Sequence, residues 1–512
     1  MPHPSPLPED SFDPRTPEEW ADFRALSHRM VDDMLTQLEG LPDRKAWQEI
    51  PGEIRASLRE PIPFTGIGPE AAYAHFTEWV LPYPNGNWHP RFFGWVQGQG
   101  TPLAMMADML ASGLNPHLAG FNHAPPLVEQ QVVDWCAQLL GFSGASGLLV
   151  SGGTMANTLC LAVARFSKGR ETGRDTRGNG MQQWPGDHDR APMVLYASSE
   201  THGWIRKAVE WLGLGHRAVR VVPVGSDYRI DLQLLAQMVA ADRATGMMPF
   251  CVVGTAGTVN TGATDDLDAL ASFCEAEQLW FHVDGAFGAL IHLSDSLRPI
   301  VRGLERADSL GFDLHKWGSM PYECACALIR DPAVHHAAFT STASYLTPMT
   351  RGPSAGPLYF NERGLELTRG FKALKVWMSF KAEGISKFAR IIEQNVAQAQ
   401  YLADRINAHA ELELLAPAPL NIVNYRFTAP RLSASALNTL NQELLTRLQE
   451  RGIATPSSTM LDGRFAIRVA NVNHRSRTAD FDLLVDEVVN IGRELLPHYQ
   501  TVSTPTVPRD TS

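Results

Sequence analysis

Apolar positions change their period twice along the chain. From Pro17 to Gly40 they recur at helical spacing, with Trp20, Phe23, Leu26, Met30, Met34, Leu35 and Leu38 near one face. Thr16-Pro17 followed by Glu18 and Glu19 opens this stretch and Gly40 closes it, which predicts a capped amphipathic helix. A second helical stretch is predicted over about 69–81, so residues 18–85 form a helical arm with little core of their own. In the middle of the chain, short apolar runs alternate with helical segments. Strands are predicted at 148–150, 193–197, 219–224, 250–254, 279–283, 308–310 and 326–329, the pattern of a large, mostly parallel seven-stranded α/β sheet. From about 385 the rhythm changes again. A long helix, a strand near 420–427, a helix at 434–451, a strand at 465–469 and a last helix at 478–496 describe a small C-terminal α+β domain.

The remaining segments lack this patterning. Residues 1–17 carry six prolines and 501–512 are rich in Thr, Ser and Pro, so both read as tails. Residues 167–192, polar and glycine-rich, interrupt the alternation and are read as a surface insertion. The expected organisation is a tail (1–17), a helical arm (18–85), a large α/β domain (86–384), a small α+β domain (385–500) and a tail (501–512). No internal repeat is visible.

Composition narrows the classes of function. At about 150 residues per domain, 512 residues make two to four units, which excludes a single small binding module. Charged residues are 19%, below the usual share of about 25%, so surface is scarce relative to interior, as in a homo-oligomer. With 44 Lys and Arg against 55 Asp and Glu the net charge is -11, which argues against nucleic acid or an anionic membrane as partner. The longest apolar stretch, 103–114, is interrupted by Asp108 and is too short to span a bilayer. The opening MPHPSPLPED lacks the basic start and apolar run of a secretory signal, so a cytoplasmic location is expected. Six scattered cysteines, with no CxxC pair, read as reduced packing residues.

Three motifs carry chemistry. SGGTMAN (151–157) stands between a predicted strand and a predicted helix, where free backbone N–H groups and the helix dipole suit a phosphate; an ordinary glycine turn with Thr154 as N-cap is the competing reading. HVDGAFG (282–288) puts Asp284 at the end of a buried run, where its charge needs a partner. A protonated pyridine nitrogen is one candidate partner, a following helix or a metal another. DLHKWGS (313–319) places Lys316 beyond a strand end, where a partly desolvated amine can form a Schiff base with an aldehyde cofactor. Taken in order, a phosphate turn, an aspartate and a lysine are the requirements of pyridoxal phosphate.

SGGTMAN, SSETHGWIRKA, GTAGTVNTGATDDL, FHVDGAFG and DLHKW, in this order, resemble the pyridoxal-phosphate group II decarboxylases, the family of aromatic-L-amino-acid, histidine, glutamate and sulfinoalanine decarboxylases. NWHPRFFG (87–94) and MADML (106–110) are similar to the family's N-terminal region, and the likeness runs over about 20–495. The resemblance implies the PLP-dependent transferase fold type I, a homodimer, and pyridoxal 5'-phosphate bound in the large domain. It assigns the Schiff-base lysine to Lys316 and the pyridinium partner to Asp284. It puts Gly153, Thr154 and His315 at the phosphate, His202 on the cofactor ring, and Thr255 and Ala286 beside it. TSTASYLTP (340–348) matches the family's mobile loop and makes Tyr345 the group that returns a proton to the substrate's alpha carbon; members with phenylalanine there are aldehyde synthases.

The substrate pocket departs from the aromatic-amino-acid branch of the family. FFGWVQ (92–97) and GFNH (120–123) replace its FFAYFP-like and GFSW-like stretches. Trp88, Trp95 and Phe121 are expected either to make an aromatic slot or to pack in the core. Gln97, Asn122 and His123 add polarity that keeps histidine-like and acidic substrates open. Arg468 is read as a surface ion-pairing arginine on an edge strand or as a carboxylate ligand. The expected activity is decarboxylation of an L-amino acid, most simply an aromatic one, to its amine. The alternatives are an aldehyde synthase, a decarboxylase of His, Glu or Asp, and a non-catalytic scaffold. A nicotinamide-dependent dehydrogenase would need a GxGxxG turn that the chain lacks.

Overall fold

The computed structural model describes residues 10–182, 191–340, 349–355 and 359–500. Twelve strands in these residues form two sheets. The large one takes β2 (Ser146–Val150), β3 (Met193–Ser198), β4 (Val219–Val222), β5 (Met248–Thr255), β6 (Trp280–Asp284), β7 (Ser309–Asp313) and β8 (Ala325–Ile329), in the order β2-β8-β7-β6-β5-β3-β4. Pairings among β3, β4, β5, β6 and β7 are parallel; β8 alone runs against its neighbours β7 and β2. All seven predicted strands are present, and the sheet is mostly parallel.

Strand side chains alternate between two cores, one on each face of the sheet. Leu149, Tyr196, Val252, Val283, Phe312 and Leu328 enter one. Their neighbours Val150, Leu195, Val253, Ala327 and Ile329 enter the other, with Leu159, Cys160 and Val163 of the helix Gly153–Glu171. With both faces covered, strand ends are the only places where the sheet can meet a polar ligand.

The smaller sheet, in the order β1-β11-β12-β10-β9, joins β9 (Leu412–Leu414), β10 (Ile422–Phe427), β11 (Thr455–Leu461) and β12 (Arg464–Ala470) to β1 (Phe92–Phe93), which precedes the large sheet in sequence. The pairing of β1 with β11 is parallel, Phe92 with Thr455 and Phe93 with Pro456. It brings the segment after Phe93 under the control of the C-terminal sheet. β11 escapes sequence prediction because TPSSTML shows no apolar alternation; β1 and β9 are too short to show a period.

At the N-terminus the helix Pro17–Glu39 is capped by Thr16, whose Oγ1 accepts from Glu19 N at 3.2 Å. Of its apolar face only Leu26 is buried, while Trp20 and Phe23 are 47% and 44% exposed. The helix Pro69–His75 continues as a wider turn, Phe76–Val80, in which Leu81 N reaches back to Phe76 O at 2.9 Å.

Two local expectations are corrected. The helix after β2 starts at Gly153, so Thr154 stands inside its first turn instead of capping it, with Gly152 as the N-cap. The same helix runs to Glu171 with Ser167 and Gly169 buried, so the polar insertion begins after Glu171 and not at 167. The turn after the helix folds back on it, with Arg174 and Thr176 close against Gly169, where a Cβ would come within 2.6 Å of Thr176 Cγ2, so burial continues past the point where polarity alone would end the helix.

Candidate active site

Three adjacent parallel strands end together. Thr255 is the last residue of β5, Asp284 of β6 and Asp313 of β7, with Thr255 in register with Asp284 and Asp284 with Gly311. Beyond these ends, and beside the N-terminus of the helix Gly153–Glu171, lies a cavity of about 430 Å3. Ser151 to Met155, Trp95 to Gln97, His202, Thr255, Asp284, Ala286, Asp313, His315 and Lys316 border it.

Asp284 is 3% exposed, and its carboxylate is held in place. Trp204 Nε1 donates to Oδ2 at 2.6 Å and Ala286 N donates to Oδ1 at 3.1 Å. Opposite it stands His202, whose Nδ1 accepts from Trp204 N at 3.2 Å. Burial lowers the His202 pKa, the Asp284 charge raises it and the Lys316 charge lowers it, with burial the largest effect. Its imidazole is therefore neutral at pH 7.

Lys316 Nζ lies 2.9 Å from Asp313 Oδ2. Asp313 Oδ1 is buried with no hydrogen-bond partner, and a Cβ on Gly153 would come within 2.9 Å of Oδ2, so glycine is what lets the helix start approach this carboxylate. The first amides of that helix have no intrahelical acceptor and point their partial positive charge at the cavity. His315 is buried, with Nδ1 against the carbonyl and N–H of Cys324 at 2.9 and 3.3 Å and its ring against Tyr322. Burial lowers its pKa too. Thr255 N donates to Asp265 Oδ2 at 2.8 Å, leaving Thr255 Oγ1 buried and without a partner at the cavity. Asp265 also accepts from Ile230 N, and burial raises its pKa to about 6.

Of the residues named from sequence, the cavity gathers Gly153, Thr154, His202, Thr255, Asp284, Ala286, His315, Lys316 and Trp95. Trp88 is not at this cavity: it borders a separate hollow with Leu41, Lys45 and Trp47, because the chain reverses between Trp88 and Trp95. Phe121 does not border the cavity either, and instead sets its ring edge-on to His117. Tyr345 lies outside the described residues. Arg468 is on β12, the central strand of the five and not an edge, and is 3% exposed. Sequence reading missed Asp313, Trp204, Asn157 and Val259. All four sit inside the quoted motifs, Asp313 opening DLHKW, Trp204 within SSETHGWIRKA, Asn157 closing SGGTMAN and Val259 within GTAGTVNTGATDDL, and a carboxylate ending a buried strand is a usable signal for Asp313.

A helix N-terminus for a phosphate, a buried carboxylate for a ring nitrogen, a lysine amine for an aldehyde and an unpartnered threonine hydroxyl fit pyridoxal phosphate. Fold and cavity define a PLP-dependent enzyme of fold type I. Comparison with known proteins agrees and is more specific. The Pyridoxal-dependent decarboxylase conserved domain matches residues 77–428. The chain is 31% identical over 487 residues to the aromatic-L-amino-acid decarboxylase of Bacillus atrophaeus, covering 94% of this chain and 98% of that protein. It is 28% identical over 429 residues to the cysteine sulfinic acid decarboxylase of Homo sapiens, covering 81% and 85%. The solved Oryza sativa TDC with PLP and tryptamine superposes with a TM-score of 0.85 at 24% identity, covering 95% of this chain and 100% of that one.

The chain belongs to the pyridoxal-dependent decarboxylase family. It is a PLP-dependent carboxy-lyase acting on an amino acid. Among the described residues no helix is long and apolar enough to cross a membrane.

Proposed function

We propose that this chain converts an aromatic L-amino acid to the corresponding amine and CO2, with Lys316, Asp284, His202 and Tyr345 as its catalytic groups. The observation that carries the reading is the convergence of Asp284, Lys316 and the Gly153 helix start on one cavity whose outer wall holds the Trp95 indole. Lys316 Nζ is the amine that holds the cofactor's aldehyde carbon. Asp284, fixed by Trp204 and Ala286, holds a proton on the ring nitrogen. The amides of Gly153 and Thr154, with His315, hold the phosphate. His202, Thr255 and Ala286 border the same cavity, where His202 would stack on the cofactor ring and the other two would flank it. Pyridoxal phosphate, when bound, supplies the electron sink for the pair released as the carboxylate departs. The alpha carbon then needs a proton, and Tyr345, named on its motif alone, is the proposed donor.

Trp95, Val96 and Val259 favour a flat apolar side chain, as does the likeness to the Bacillus atrophaeus enzyme. Gln97, held by Asn85 Nδ2 at 2.8 Å, also borders the cavity and supports a second reading in which His, Glu or Asp is the substrate. The test is CO2 release from Tyr, Trp, Dopa, Phe, His, Glu and Asp, with ammonia and peroxide followed together. Turnover of an aromatic substrate without peroxide is expected. Peroxide and ammonia at the rate of CO2 would make it an aldehyde synthase, and turnover of His, Glu or Asp alone would move it to the second reading.

The proposal includes a homodimer of cytoplasmic location. The helical arm (18–85) is read as a dimerisation element on a cofactor unit (86–384) followed by the C-terminal unit (385–500). Exposed Trp20, Phe23, Ile62, Phe64 and Ile67 give the arm an apolar face that a second copy would cover, and six buried free thiols suit a reducing compartment.

A further inference from the structure

Arg468 is 3% exposed and does not border the cavity, yet it bonds to two of the cavity's walls. Its Nη1 donates to Trp95 O at 3.2 Å and to Ser457 Oγ at 3.0 Å, its Nη2 donates to Val259 O, and its Nε donates to Asn260 O at 3.3 Å. All four acceptors are neutral. Burial lowers the Arg468 pKa to about 10, a mark of how little solvent reaches it. A guanidinium buried without a carboxylate is costly unless its fork geometry is used, and here one planar group ties three backbone carbonyls and a hydroxyl.

What it ties is strained. Trp95 has φ +52, a left-handed conformation that a bulky residue rarely adopts unless its surroundings fix it. Both of its backbone groups are fixed: its N–H donates to Ser457 Oγ at 3.2 Å and its carbonyl accepts from Arg468. Ser457 in turn donates to Arg468 O at 3.3 Å, closing a small network on β11 and β12. Trp95 is 53% exposed and borders the cavity, as does Val259 in the loop after β5.

We infer that Arg468, with Ser457, is a positioning residue that clamps the Trp95 segment to the Val259 loop and so sets the width of the side-chain end of the substrate pocket. The inference rests on the reading of this cavity as the amino-acid site. It makes a distinction that a carboxylate-binding arginine would not. Every amino-acid substrate carries the same alpha-carboxylate, so a carboxylate ligand acts on all equally; a clamp on the side-chain end acts by side-chain size.

The test compares wild-type, Arg468→Lys and Ser457→Ala holoenzymes, each checked for cofactor absorbance. Arg468→Lys is expected to reduce kcat/KM for the bulkiest aromatic substrate by about ten- to a hundredfold, mostly through KM, with a several-fold smaller loss for the smallest substrate turned over, and Ser457→Ala to do the same more weakly. Equal loss on all substrates, or no loss, overturns the clamp. A second readout needs no substrate. In holoenzyme labelled with 5-fluorotryptophan, the Trp95 fluorine line is assigned by its absence in Trp95→Phe; it is expected to shift or broaden in Arg468→Lys and Ser457→Ala. An unchanged line overturns the inference. If no aromatic amino acid is turned over, the aromatic reading fails while the fluorine line still decides the clamp.

Discussion

Asp313 Oδ2 and Lys316 Nζ lie 2.9 Å apart across one turn of chain at the end of β7. The carboxylate is 2% exposed at its side chain and the amine 23%, so the pair is half-shielded from water and its partners depend on each other. Asp313→Asn keeps the shape and removes the charge. Cofactor-free protein carrying it is expected to lose about 1–3 kcal/mol of stability, less than a fully buried pair because water reaches the amine. Urea unfolding of both forms of the apoprotein, with unchanged slope and a lower midpoint, checks it.

Trp204 is expected to matter through Asp284. Its indole N–H is one of two donors to that carboxylate, and a hydrogen bond to a charged group is worth about 1.5–3 kcal/mol. Trp204→Phe is therefore expected to cut kcat by about ten- to a hundredfold. Asp284→Ala should abolish turnover. Borohydride reduction followed by peptide mapping should still find the pyridoxyl group on Lys316 in Trp204→Phe; a label elsewhere would remove Lys316 from its proposed role.

How much of this site is legible in the sequence depends on where each residue's signal lies. Lys316, Asp284 and the Gly153 turn were readable because each sits in a short motif directly after a buried apolar run, so local sequence fixes both chemistry and place. Trp88 and Phe121 were not: an aromatic residue in an irregular segment carries no period, and only the tertiary path says which hollow it reaches. Arg468 looked like a surface residue because the sequence does not reveal that β1 and β11 extend the sheet beyond β12. The same omission hid the Trp95 clamp, whose partners are up to 373 positions apart.

Acid should loosen the fold in a defined window. Burial lowers His89, His335 and His474 each to about 4, so the folded protein keeps them neutral while the unfolded chain takes up protons near pH 6.5. Their contribution is complete above about pH 6.5 and is lost as the pH falls toward 4, on the order of 3 kcal/mol for each group. Asp265 works in the opposite sense: raised to about 6, it binds a proton in the folded state first and offsets part of the loss below that pH. Urea midpoints measured from pH 7.5 to 4.5 are expected to fall, with the decline shallower in His474→Gln, which keeps a donor for Gly100 O and removes one titrating ring.

Dimerisation is expected to rest on the arm. Trp20 and Phe23 share the face of the helix Pro17–Glu39 that Leu26 buries, and both remain substantially exposed in a single chain, with Phe64 and Ile62 at 96% and 72%. At about 25 cal/mol per Å2, leaving several large apolar side chains in water forgoes several kcal/mol that a second copy would recover. The double substitution Trp20→Asp and Phe23→Asp should move the sedimentation coefficient from a dimer's to a monomer's without unfolding the sheets, which lie elsewhere in the chain. A wild-type holoenzyme that sediments as a monomer at micromolar concentration would leave this face to some other partner.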